Sequence, residues 1–66
     1  MKSKVIIITN NDRQFGEVFQ AEPYESVKTI CELQHQIFYP KKLIKIGNGY
    51  DYQLNNGSIV FSEQIM

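Results

Sequence analysis

The sequence predicts an α+β domain, with a single helix packed on an antiparallel or mixed sheet in the order β-β-α-β-β-β. Three observations predict it. Only one stretch, residues 22–39, places apolar side chains at helical spacing. On either side of it lie short runs rich in β-branched and aromatic residues. Those runs are separated by Asn, Asp and Gly, which accept the backbone geometry of tight turns.

Residues 4–9, Lys-Val-Ile-Ile-Ile-Thr, predict the first strand, and residues 15–21 the second, with Asn10-Asn11-Asp12 turning between them. With Asn11-Asp12 as a two-residue loop, Ile8 is expected opposite Phe15, Ile6 opposite Glu17 and Val5 opposite Val18. The first strand is apolar on both faces, yet one helix covers only one face of a sheet. The chain's own turns or a second molecule must shield the other face.

The helix is expected over roughly 23–39. Val27, Ile30, Cys31, Ile37 and Phe38 fall on one side of it, with Gln34 among them, while Glu25, Lys28, Thr29, Glu32 and Gln36 fall on the other. Pro23 suits the first turn and Glu25 the positive end of the helix dipole, with Ser26 a rival cap. Pro40 is the predicted stop, because its ring disfavours helical geometry at Tyr39.

Residues 43–46, 50–54 and 58–65 predict three further strands. A three-residue Gly47-Asn48-Gly49 loop is preferred to a two-residue Asn48-Gly49 loop, because it pairs Ile46 with Tyr50 and Ile44 with Tyr52 rather than with polar residues. A two-residue Asn56-Gly57 loop pairs Leu54 with Ile59, Tyr52 with Phe61 and Tyr50 with Glu63. The expected inward face is therefore Ile44, Ile46, Tyr50, Tyr52, Leu54, Ile59 and Phe61. In element order the chain resembles the ubiquitin-like β-grasp arrangement, without the di-glycine tail of that family: it ends Ser62-Glu-Gln-Ile-Met66.

A chain of 66 residues is expected to form one small domain, residues 1–66, and a domain of this size buries only about 60% of its unfolded surface. A deep enclosed active site does not fit that size. Seven basic and seven acidic side chains cancel, so no global field concentrates nucleic acid or an anionic membrane. The single cysteine and the absence of a signal peptide before the first strand predict a cytoplasmic protein. No run spans a bilayer. Residues with AT-rich codons (Ile, Lys, Asn, Tyr, Phe) number 28 against 8 for Ala, Gly, Pro and Arg, which points to an AT-rich genome such as that of a low-GC bacterium, phage or plasmid.

Catalytic chemistry finds little support. Cys31 lies within the apolar stripe and reads as a buried side chain. His35, one helical turn on, supplies a second ligand type but no complete metal site. The carboxylates are scattered, and Gly47-Asn48-Gly49 opens no helix and so is no phosphate loop. No catalytic residue, metal or cofactor is therefore expected. The expected function is a small non-enzymatic protein-interaction module, of the kind a phage or mobile element encodes to modulate or inhibit a host protein, binding a protein partner or forming a homodimer. Its predicted contact residues are the apolar surplus Val5, Ile7, Val18, Tyr24 and Tyr39, with Leu33 as a further candidate and Asp12, Glu17, Asp51, Glu63 and Gln64 as a polar rim. The alternative is a small nucleic-acid-binding regulator that contacts phosphate through Lys41, Lys42, Lys45 and Arg13, next to the aromatic pair Phe38-Tyr39.

Overall fold

The computed structural model describes residues 2–65 and has one helix packed on a five-stranded antiparallel sheet. In chain order the elements are β1 (Ser3–Ile8), β2 (Gln14–Phe19), α1 (Pro23–Leu33), a 3₁₀ turn (Pro40–Lys42), β3 (Ile44–Ile46), β4 (Gly49–Gln53) and β5 (Ile59–Gln64). The expected element order is present. The strands lie in the order β2-β1-β5-β4-β3, and every ladder, including β1 with β5, is antiparallel. Because α1 joins the two edge strands, it runs over the middle of the sheet and packs on β5, β1 and β4. Val27, Ile30 and Cys31 of α1 meet Val5, Tyr52, Leu54 and Val60 in the core, with Ile7, Phe19, Phe38, Leu43 and Tyr50 packed around them.

The helix is six residues shorter at its C-terminus than the spacing predicts. It ends where His35 takes a left-handed conformation, φ 56°. The Gln36 N–H donates to the Cys31 carbonyl at 2.9 Å and the His35 N–H to the Glu32 carbonyl at 3.1 Å. This is the paired closure that commonly carries glycine at the left-handed position, so the sequence showed no stop before Pro40. Ile37, expected on the buried stripe, is consequently 68% exposed, whereas Phe38 still packs on the core. Ser26 is not a cap: it lies inside the helix, its N–H donating to the Glu22 carbonyl at 2.9 Å.

All three hairpins differ from expectation by one residue of register. In the first, the Asp12 N–H donates to the Thr9 carbonyl, the Thr9 N–H donates to the Arg13 carbonyl, and Asp12 has φ 60°. The loop is thus Asn10-Asn11-Asp12, a turn closed by a left-handed residue, and it sets Ile8 opposite Gln14, Ile6 opposite Gly16 and Val5 opposite Glu17. In the second, the loop is Gly47-Asn48, with Gly47 at φ 53°, and Ile46 meets Gly49, Lys45 meets Tyr50 and Ile44 meets Asp51. Gly49 is needed in the strand and not in the turn. A β-carbon there would strike the Ser62 carbonyl oxygen and lie 2.9 Å from the Glu63 Cα. In the third, the Leu54 N–H donates to the Ser58 carbonyl at 2.8 Å and Gly57 has φ 88°, so Asn55-Asn56-Gly57 is the loop and Tyr52 meets Val60, Asp51 meets Phe61 and Tyr50 meets Ser62.

A slip of one residue turns every side chain to the other face. Tyr50, Tyr52 and Leu54 keep the inward placement expected of them. Val60 takes the place expected of Phe61 and Ile59, while Ile44, Ile46, Ile59 and Phe61 fall on the face away from α1.

Candidate interaction surface

The face of the sheet opposite α1 is built by strand alternation alone. Because Val5 points into the core, its neighbours Ile6 and Ile8 point away from it. The ladders then align Ile44, Asp51, Phe61, Ile6 and Gly16 in one row and Gln53, Ile59, Ile8 and Gln14 in the next. On the two middle strands, β1 and β5, this sets Ile6, Ile8, Ile59 and Phe61 together as an apolar square. Around it stand Asp51 and Gln53 on β4, Lys4 and Glu63 paired across β1 and β5, and Gln14 on β2. No described element is packed on this side: Ile59 is 39% exposed and Ile44 60%, while Ile6, Ile8 and Phe61 are half-buried by their neighbours in the sheet. An apolar centre within a polar rim is the usual anatomy of a protein-binding patch.

The residues predicted to bind a partner are distributed differently. Val5 is buried in the core, 1% exposed, so it is unavailable to a partner in this fold; this corrects its predicted exposure, and the cause is the register of β1. Ile7 shares the helix side and is partly buried against the same core. Val18 is exposed on β2, opposite Lys4 on the open face, and Leu33 is exposed at the end of α1. Tyr24 is half-buried, its ring edge-on to Phe38 at 5.3 Å and to Tyr50 at 6.3 Å. Tyr39 is exposed, and its N–H donates to the Tyr52 hydroxyl at 3.0 Å. Of the predicted rim, Asp51 and Glu63 do border the apolar square. The residues that sequence reasoning missed are Ile6, Ile8, Ile59, Phe61 and Ile44. The two-sided apolar character of β1 was the available signal, and only the hairpin registers could resolve which half faced outward.

The basic residues do not form one patch. Lys42 Nζ lies 5.3 Å from the centre of the Tyr52 ring and 5.9 Å from that of Tyr39, and Lys45 Nζ lies 5.2 Å from that of Tyr50. Lys42 thus lies over Tyr39, one of the two aromatics expected to stack on bases, whereas Tyr52 is buried in the core. Lys41 is exposed in the 3₁₀ turn beside them. Arg13 precedes β2, at the opposite edge of the sheet from β3, about 19 Å away at four strand spacings.

Cys31 and His35 are the reactive side chains that the sequence singled out. Cys31 is buried, and burial pushes its thiol above the ordinary value, opposed by a hydrogen bond shared with the Tyr52 hydroxyl. The thiolate, which is the nucleophile, is thus disfavoured. His35 is exposed beyond the helix end, in the left-handed position. Among the described residues no group of three or more His, Cys, Asp or Glu can hold a metal, and no helix is long and apolar enough to cross a membrane. A cleft of about 190 Å³ opens between the N-terminus of α1 and the β3–β4 turn, lined by Glu22, Tyr24, Lys45, Asn48, Tyr50 and Gln64. It is smaller than the roughly 300–1,000 Å³ of ordinary ligand sites.

No protein-family model, no curated protein and no solved structure matches this chain.

Proposed function

We propose that the protein is a small non-enzymatic interaction module that binds a protein partner through the open face of its sheet. The observation that carries this reading is the apolar square Ile6, Ile8, Ile59 and Phe61, which has a polar rim and no covering layer among the described residues. A sheet that buries only one face normally alternates apolar inward with polar outward, and β1 and β5 break that rule at the centre of the sheet. Phe61 is the natural anchor, since aromatic side chains at the middle of a patch carry most of the binding energy in protein interfaces. The balanced charge and the predominance of residues with AT-rich codons are in keeping with a cytoplasmic modulator or inhibitor of a host protein, as phages and mobile elements encode.

The test is capture of binding proteins by the tagged chain, with and without nuclease, using three forms: the native sequence, an Ile44→Glu/Ile59→Lys variant, and a Lys41→Ala/Lys42→Ala/Lys45→Ala variant. The reading expects one stoichiometric protein that survives nuclease, is kept by the lysine variant and is lost by the open-face variant. It fails if everything captured is nucleic acid or nuclease-sensitive, or if the lysine variant alone loses it. Those results would favour the nucleic-acid regulator, whose binding should also weaken steeply with salt.

A further inference from the structure

The two edges of the sheet are built differently. β3 has three residues, follows Pro40, Lys41 and Lys42, and carries Lys45, and a short, lysine-bearing strand is a well-guarded edge. β2 has six residues, contains no proline, and is exposed from Gln14 to Val18. On the face away from α1, an added β-carbon at Gly16 would meet nothing within 4 Å, so no described segment crowds the strand there.

The direction of the unpaired backbone on β2 follows from its ladder. Thr9 and Arg13 are a hydrogen-bonded pair, the Thr9 N–H donating to the Arg13 carbonyl at 2.9 Å. Hydrogen-bonded and non-bonded pairs alternate along an antiparallel ladder. The backbone groups of Phe15, Glu17 and Phe19 therefore turn toward β1, and those of Gln14, Gly16 and Val18 turn outward.

We propose that this edge pairs antiparallel with β2 of a second copy of the chain about a two-fold axis at Gly16, joining two five-stranded sheets into one of ten. An isologous pairing of a strand with itself must be centred on a residue that meets its own copy. Centred on Gly16, all three outward residues bond: Gly16 to Gly16 of the second copy, and Gln14 to its Val18 in both directions. Phe15 then lies opposite Glu17 of the second copy and diagonal to its Phe19, and Arg13 lies diagonal to that same Glu17, opposite charges within reach of each other. Centred on Glu17, the pairing would lose two of those bonds and set two carboxylates face to face in a close non-bonded pair. Centres on Phe15 or Val18 leave half of the strand without a partner. The axis stands perpendicular to the sheet, so both helices stay on one side and the two open faces lie side by side on the other. The edge is separate from the apolar square, so this pairing and the binding of a target through that square stand or fall independently.

The experiment measures self-association by analytical ultracentrifugation, and amide hydrogen exchange above and below the association midpoint. The expected result is a dimer whose Gln14, Gly16 and Val18 amides are protected only when associated. Gly16→Pro removes an outward N–H from each copy without touching the β1 ladder and should weaken association by about 30-fold, the loss of two hydrogen bonds. Glu17→Arg sets arginines near arginines and should weaken it by about tenfold or more; it supplies the test if Gly16→Pro disturbs the fold. Ile44→Glu/Ile59→Lys should leave it unchanged. A chain monomeric up to about 1 mM, a dimer with freely exchanging β2 amides, a dimer broken by the open-face variant alone, or β2 amides protected only by a captured target protein would each overturn the proposal.

Discussion

Three serines lie under the N-terminus of α1 with no exposure at all: Ser3, Ser26 and Ser62. Ser3 and Ser26 share a hydrogen bond, and the Ser26 hydroxyl also donates to the Glu22 carbonyl at 3.1 Å. The Ser62 hydroxyl, by contrast, has no hydrogen-bond partner among the described residues. A buried polar group without a partner costs about 1–3 kcal/mol, so Ser62→Ala should stabilise the protein by about 1 kcal/mol, a rise of roughly 4–8 °C in melting temperature for a domain of this size. Ser26→Ala should do the reverse by about 1–2 kcal/mol, because it strands Ser3, and the Ser3→Ala/Ser26→Ala double variant should recover part of that loss. Thermal unfolding of the three variants checks all of this. Burial also raises the acid dissociation values of Cys31 and Tyr52 above their ordinary 9.0 and 10.0. Both groups are neutral in the fold while the unfolded chain ionises, so the stability they contribute is full below pH 9.0 and is lost as pH climbs through the raised folded values. Urea midpoints measured from pH 7 to above pH 10 should therefore fall at the alkaline end, and less steeply for Cys31→Ala. His35 was visible in the sequence as a polar residue one helical turn after Cys31. Its role in ending α1 was not, because a non-glycine residue accepts left-handed geometry only when surrounding contacts require it. His35→Gly should accordingly stabilise the helix end by about 0.5–1 kcal/mol, read by the same melts.

Among the elements, the β3–β4 hairpin separates two glycine roles that its sequence presents as one motif. Gly47 supplies a positive φ and has open space around it, whereas Gly49 lies where the β5 backbone approaches too closely for a side chain. Gly47→Ala should cost about 1 kcal/mol, the usual penalty of left-handed geometry, and keep the ladder. Gly49→Ala should cost several times as much, since the obstruction is backbone and no rotamer avoids it, and should disorder β4 against β5. Amide exchange at Tyr50 and Tyr52 distinguishes the two. The opposite result, a greater loss at Gly47, would favour the register in which Gly49 sits in the turn. Strand existence was legible from β-branched and aromatic runs, and turn positions from Asn, Asp and Gly. Loop length was not legible, because Asn55-Asn56-Gly57 and Asn56-Gly57 are both good turn sequences. The backbone hydrogen bonds of Leu54 and Ser58 decide between them.

At the scale of the whole molecule, one helix and five strands leave a sheet half covered. The Asn10 side-chain amide donates to the Asn56 carbonyl, tying the first hairpin turn to the last at one end, but no described segment crosses the open face. Phe61 is half-buried among its strand neighbours, so substituting it with Ala should lower melting less than Val60→Ala, which opens a cavity in the core and should cost about 2 kcal/mol or more. On the proposed function, Phe61→Ala should also abolish capture of a target protein, as expected of an anchor at the centre of an interface. Stability and binding would then divide between neighbouring residues of one strand.

The order of elements, the position of the single helix and the two-sided apolar character of β1 were determined by the sequence itself, through periodicity and turn chemistry that act within a few residues. Only the tertiary structure decided which half of each strand faces the helix, where α1 ends, and hence which isoleucines and which phenylalanine lie on the uncovered face. The reason is that side-chain direction in a sheet has a period of two. One residue of loop length, settled by close backbone contacts such as Gly49 on Ser62, turns an entire face from core to surface.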